Sequence, residues 1–183
     1  MASAPRERLL DALIDHLAEH GLRDTSLRGM AAAVGTSHRM LIHHFGSREG
    51  LLTEIVRKVE ADQRRFLESL DLLPDQAMEA MWQRLSDPQL WPTERLFFEC
   101  YARATRGEPP FASLLPGLVD DWLDAAQGRG LVWPGDARAE RARARAGLAI
   151  FRGLLLDLVA TGDREGVEDA FQEFRALVAA AAP

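Results

Sequence analysis

Between Thr25 and Arg48 the chain carries Arg28, His38, Arg39, His43, His44 and Arg48 and not one acidic side chain. Guanidinium and imidazole groups in an acid-free stretch suit a polyanion, because each donates hydrogen bonds to phosphate oxygens or to the acceptor edges of bases. The same residue types can also bind metals or move protons, but their spacing speaks against both. His43 and His44 are adjacent, so on a helix they diverge by about 100° and cannot chelate one ion together. His16 and His20 are four apart on one face, yet Leu17 and Glu19 beside them describe an ordinary helix surface. No P-loop, dinucleotide fingerprint, Gly-x-Ser-x-Gly elbow or metal-ligand cluster is present. The residues therefore call for no cofactor, no metal and no catalytic centre, and a binding function rather than an enzyme is expected.

The charge balance localises this feature. The chain has 183 residues and a formal net charge of -6. Residues 1–50 carry six arginines and six acids and are neutral, so the whole excess of acid lies in residues 51–183. A uniform basic coat is excluded; a local polyanion contact is not, although chance clustering of polar surface residues would give the same composition. The single Cys100 rules out an intrachain disulfide framework and a cysteine zinc site, and reads as a small buried hydrophobe. The N-terminus lacks the unbroken apolar core of a signal peptide, and no apolar run is long enough to span a bilayer. A cytoplasmic protein with no membrane partner is expected.

The elements that must position these side chains are helices. Apolar residues recur at three and four, Ala, Leu, Arg and Glu dominate, and no alternating β-branched run appears. The pattern predicts an all-α fold of about nine helices, with a helix-turn-helix domain over residues 1–47 and a second helical domain over 48–183. Helix 1 spans about Arg6 to His20, with Ser3 and Pro5 at its start and Gly21 as its stop. Helix 2 begins after Thr25 or Ser26 and stops at Gly35, and helix 3 runs from about Ser37 to His44. A long helix 4 follows Ser47. Helices 5 to 9 are predicted over Asp75–Leu85, Thr93–Thr105 after a Trp91-Pro92 breaker, Phe111–Gln127, Asp136–Ala160 and Arg164–Ala181, with a Gly128–Gly135 loop holding Trp133 and Pro134.

On a helix starting at Ser37, Leu41 and Phe45 fall on one side, and His38, Arg39, Ile42 and His43 form an arc opposite. The first side belongs to a core. The second suits base edges and phosphates in a major groove, or an ordinary solvated surface; periodicity alone does not separate the two.

The order and spacing of residues 6–55 resemble the DNA-binding domain of TetR-family transcriptional regulators. The resemblance rests on Leu10 to Gly21, Leu22, Thr25, Ser26, Leu27, Met30, Ala31, Gly35, Thr36, Ser37 and the run Leu41-Ile42-His43-His44-Phe45-Gly46-Ser47-Arg48-Glu49-Gly50-Leu51-Leu52. It implies that Ser37, His38, Arg39 and Met40 contact bases, Arg39 foremost through its planar fork. It implies phosphate contacts from Thr25, Ser26, Arg28, His43, His44 and Arg48, and a structural role for Gly35 in the turn. Two departures stand out. The family usually has Tyr, a phosphate ligand, where this chain has Ile42, so that either His43 takes over that contact or Ile42 packs on a thymine methyl. Gly50 replaces the acid the family prefers in the first turn of helix 4.

Beyond residue 50 the resemblance is one of architecture, and it implies that residues 48–183 form a helical ligand-binding and dimerisation domain. Leu148 to Leu158 with Thr161-Gly162-Asp163 is similar to the family's penultimate helix, which implies a homodimer through Leu148, Phe151, Leu155, Phe171 and Phe174, although the same stripe also fits an intramolecular core. Aromatic and Met residues of helices 5 to 7 read mainly as core. The resemblance implies that some line a cavity, for which Trp82, Phe98, Tyr101 and Trp122 are the candidates. The scarcity of charge there suits a largely apolar or aromatic effector. The expected function is repression from a palindromic operator in double-stranded DNA, released by a small molecule. The rival is a helical ligand-binding or protein-interaction module whose DNA recognition has degenerated, a reading that Ile42 and the neutral head favour.

Overall fold

The computed structural model describes residues 4–20, 26–128 and 136–180. Among these lie nine α-helices and no strand: α1 (Ala4–His20), α2 (Leu27–Ala33), α3 (His38–Phe45), α4 (Arg48–Ser69), α5 (Pro74–Leu85), α6 (Trp91–Thr105), α7 (Asp120–Gly128), α8 (Ala137–Thr161) and α9 (Arg164–Ala180). The all-α expectation is met. None of the described helices is long and apolar enough to cross a membrane.

Two junctions differ from the sequence reading. Trp91-Pro92 does not break the chain but opens α6, because a proline in the first turn lacks only an N–H that would have no helical partner. The predicted helix from Phe111 fails over its first half. Phe111–Leu114 is a 3-10 turn, and Pro116 followed by Gly117 at φ +80° delays α7 until Asp120. The predicted stop at Gly21, Ser3 at the start of helix 1, and Trp133 and Pro134 lie outside the described residues.

The chain divides into two compact units, Met1–Ala61 with Pro88–Pro116, and Asp62–Asp87 with Gly117–Pro183. In the first, Leu13 and Leu17 of α1, Met30 of α2, Leu41 of α3 and Leu51, Leu52 and Ile55 of α4 are almost entirely buried, together with Phe97 and Cys100 of α6 and Phe111. Burying each Leu or Ile in this way contributes about 1.5–3 kcal/mol, which makes this apolar cluster the main support of the short α2 and α3. Ion pairs run along its rim, Arg6 to Glu54 at 2.5 Å and Lys58 to Asp11 at 3.0 Å, both between α1 and α4.

The second unit is built on Trp82. Its ring stacks on Phe171 with centroids 4.9 Å apart and meets Phe151 edge-on at 6.1 Å, while its indole N–H donates to Glu168 Oε2 at 2.9 Å. Arg175 of α9 reaches back to Asp75 and Glu79 of α5 at 2.6 and 2.5 Å. On α8, Arg141 holds Asp120 and Asp124 of α7, and Arg152 donates to the Leu118 carbonyl.

Candidate nucleic-acid interface

The head is built from local hydrogen bonds before any tertiary contact. Ser26 starts α2, its Oγ accepting from the Gly29 N–H at 3.1 Å. The helix ends in a paired closure, Thr36 N–H to the Ala31 carbonyl at 2.9 Å and Gly35 N–H to the Ala32 carbonyl at 3.2 Å. That closure needs a left-handed residue, and Gly35 supplies it at φ +68°. Ser37 then caps α3, its Oγ accepting from the Met40 N–H at 3.1 Å. Gly35 thus has the structural role expected of it in the turn.

Burial sorts the eight residues of α3. Leu41 and Phe45 are buried, and His38, Arg39, Met40, Ile42 and His43 are exposed. Ser37 and Ser26 are exposed but already engaged as caps, each with its hydroxyl proton left to donate. Arg28 is exposed on α2. No ionic partner of Arg28 or Arg39 occurs among the described residues. Arg48 is half-buried at the start of α4, and Thr25 lies outside the described residues.

His44 differs from its neighbour. It is half-buried, its ring lies edge-on to those of His43 and Phe45, and its Nε2 is shielded from solvent without a hydrogen-bond partner among the described residues. His43 therefore offers the open imidazole of the pair.

Behind the end of α3 lies a shallow crevice of about 190 Å3, lined in part by Arg6, His44, Phe45, Gly50, Glu54 and Arg57. The Arg6 guanidinium sits 5.0 Å from the Phe45 ring centroid while Nη2 donates to Glu54. Arg57 also donates to Glu54, and its Nη2 donates to the carbonyl and hydroxyl oxygens of Ser113 at 3.0 and 2.6 Å. Burial pushes the Glu54 carboxyl up, but the two guanidiniums outweigh it and hold the carboxyl below the usual carboxylate range. Sequence reasoning missed Arg6, Glu54 and Arg57. Partners 48 and 56 positions apart leave no periodic signal.

Gly50 receives a reason. A Cβ there would lie 2.2 Å from the Phe45 carbonyl oxygen, so the close approach of α3's end to α4's first turn excludes the acid expected at that place. Ser47 caps the same turn, accepting from the Gly50 N–H at 2.9 Å.

The other candidate positions separate. Trp82 and Trp122 are buried in the second unit, whereas Phe98 and Tyr101 are half-buried in the first, Tyr101 stacked on Phe97 at 5.7 Å. Of the proposed dimer residues, Leu155 and Phe171 are buried in the core of their own chain, Phe171 against Trp82 and Phe151, and are therefore not open to a partner. Leu148, Phe151 and Phe174 are half-buried, and Leu156 and Leu177 are the large apolar side chains of α8 and α9 left exposed.

A capped helix, a glycine turn and a second capped helix whose outer face carries arginine, histidine and no acid define a helix-turn-helix head on an all-helical body. Residues 9–55 match the bacterial regulatory proteins of the tetR family. The match lies over the helix-turn-helix head and the start of α4, where this chain is similar to that family. It is 29% identical over 149 residues to the HTH-type transcriptional regulatory protein RaaS of Mycobacterium tuberculosis, covering 75% of this chain and 63% of that protein. It is 44% identical over 55 residues to the HTH-type transcriptional repressor KstR2 of Rhodococcus jostii, covering 30% and 27%. The chain thus spans less than two thirds of the length of either relative. In fold it is similar to a transcriptional regulator from Rhodococcus (TM-score 0.66, 22% identity, 94% of each chain) and to the fatty acid degradation regulator FadR from Bacillus halodurans (TM-score 0.62, 14% identity, 97% and 95%). These relatives are named as regulators and not as enzymes.

Proposed function

We propose that the protein is a cytoplasmic, sequence-specific regulator that represses transcription from a palindromic operator and is released by a small, largely apolar or aromatic effector. The observation that carries this is the outer face of α3, where His38, Arg39, Met40 and His43 stand exposed on a helix without an acidic residue. An α-helix fits the major groove, and a guanidinium fork there pairs with guanine O6 and N7. In this reading Ser37, His38, Arg39 and Met40 address bases. Thr25, Ser26, Arg28, His43 and Arg48 address phosphates. His44 contributes less, since its Nε2 is shielded.

Residues 1–47 form the reading domain and 48–183 the sensing and dimerising one. A homodimer sets two copies of α3 in successive major grooves, about 34 Å apart. The dimer surface runs over α8 and α9 through Leu148, Phe151 and Phe174 and gains Leu156 and Leu177, exposed by 48% and 69%. The effector acts by favouring a dimer whose heads no longer match that spacing, and α4, 22 residues long and directly following the head, is the lever.

The test is to incubate the purified protein with random duplexes, recover and sequence what binds, and repeat the selection with Arg39→Ala. Enrichment of one palindrome, lost with Arg39→Ala, supports the reading. No enrichment even at low salt overturns it in favour of a ligand-binding or interaction module. A monomer at micromolar concentration would overturn the palindromic form.

A further inference from the structure

The surface of α3 is unusual in a second respect. Few large hydrophobic side chains of the described residues stand exposed, and two of them, Met40 (41%) and Ile42 (40%), lie on this one eight-residue helix. Each has a cationic or imidazole neighbour in sequence, Arg39 before Met40 and His43 after Ile42, and both stay exposed while Leu41 and Phe45 are buried. At about 100° per residue, Arg39 and His43 form the outermost row, with Ile42 flanking the arginine side by about 60° and Met40 flanking the histidine side by the same angle. An apolar side chain beside a guanidinium fork can serve neither phosphate nor a polar base edge. What it fits in the major groove is the one apolar group displayed there, the C5 methyl of thymine.

We propose, on the DNA-binding reading above, that Ile42 and Met40 are specificity-determining residues that read thymine methyl groups, so that each operator half-site places a thymine next to the guanine addressed by Arg39. The absence of acid between Thr25 and Arg48 admits this contact, because the same stretch carries the positive groups that hold it against the phosphates. His43, exposed at the adjacent position, takes the phosphate contact that Ile42 cannot make. Recognition is then set by a methyl group and a guanine edge side by side, which neither residue achieves alone.

The experiment removes the methyl and nothing else. The operator selected by the wild-type protein is resynthesised with deoxyuridine at one thymine at a time, and each duplex is titrated with wild type, Ile42→Ala and Met40→Ala, whose folding is checked by thermal unfolding. At one or more half-site thymines, deoxyuridine weakens wild-type binding about fourfold, equivalent to about 0.8 kcal/mol for one buried methyl. One of the two alanine variants erases that difference while still binding the operator. If every deoxyuridine duplex binds wild type as the parent does, or if the penalty survives in both variants, the inference is overturned while DNA binding stands. If the wild-type protein enriches no sequence at all, the DNA-binding reading falls and this inference with it.

Discussion

Arg6 and Glu54 meet at 2.5 Å, and the same guanidinium lies 5.0 Å from the centre of the Phe45 ring. One side chain on α1 thus holds both the last residue of α3 and a carboxylate on α4. Both partners are about one quarter exposed, so the pair is less screened than a surface bridge. Removing the charge by Glu54→Gln should lower unfolding free energy by about 1 kcal/mol and also weaken DNA binding, because Arg6 and Arg57 lose the shared negative charge and one of the two acceptor oxygens. Denaturant unfolding and operator titration of the same preparation check this; unchanged values for both would show that the pair holds nothing.

The pH dependence has a defined sign. The folded Glu54 carboxyl titrates below its ordinary value of 4.5, so its contribution is present above that value and is lost as pH falls through the depressed folded one. The stability gap between wild type and Glu54→Gln should therefore be constant from neutrality down to about pH 5 and close at lower pH. Unfolding curves at stepped pH measure it, and a gap that widens on acidification would contradict the assignment.

Gly50→Ala should destabilise by about 1–3 kcal/mol, because its Cβ meets backbone, which cannot rotate away as a side chain could. The strain falls between α3 and α4. Operator affinity should therefore drop with stability, whereas Gly153→Ala on α8, where an added Cβ meets nothing within 4 Å, should bind DNA normally.

Cys100 is buried, and burial pushes its thiol up to about 12, so the neutral form dominates at physiological pH. Iodoacetamide should leave the native protein unmodified at pH 8 and label it once it is unfolded, as read by mass spectrometry. Prompt labelling of the native state would contradict the burial.

Arg39→Ala and Arg28→Ala should fail differently. Loss of a base contact costs about 1–3 kcal/mol and relaxes sequence preference at one position, while loss of a phosphate contact weakens all sequences alike and reduces the salt slope by about one. Titrations against the selected operator and a scrambled duplex at several salt concentrations separate the two outcomes.

What the sequence by itself determined is the part written in short-range chemistry. The caps at Ser26 and Ser37, the left-handed Gly35 and the helical period that buries Leu41 and Phe45 involve residues at most a few positions apart, so type and spacing sufficed to place the head. The tertiary structure alone decided the rest. Arg6 finds Glu54 across 48 positions, Trp82 takes Phe171 from another helix, and Leu155 and Phe171 turn inward although the apolar stripe that carries them fits a dimer face equally well. Gly50 reads as a simple departure until the Phe45 carbonyl comes within 2.2 Å of its missing Cβ. The physical reason is the same in each case: backbone hydrogen bonds close over three to five residues, whereas burial and ion pairing depend on which distant surfaces the chain brings together.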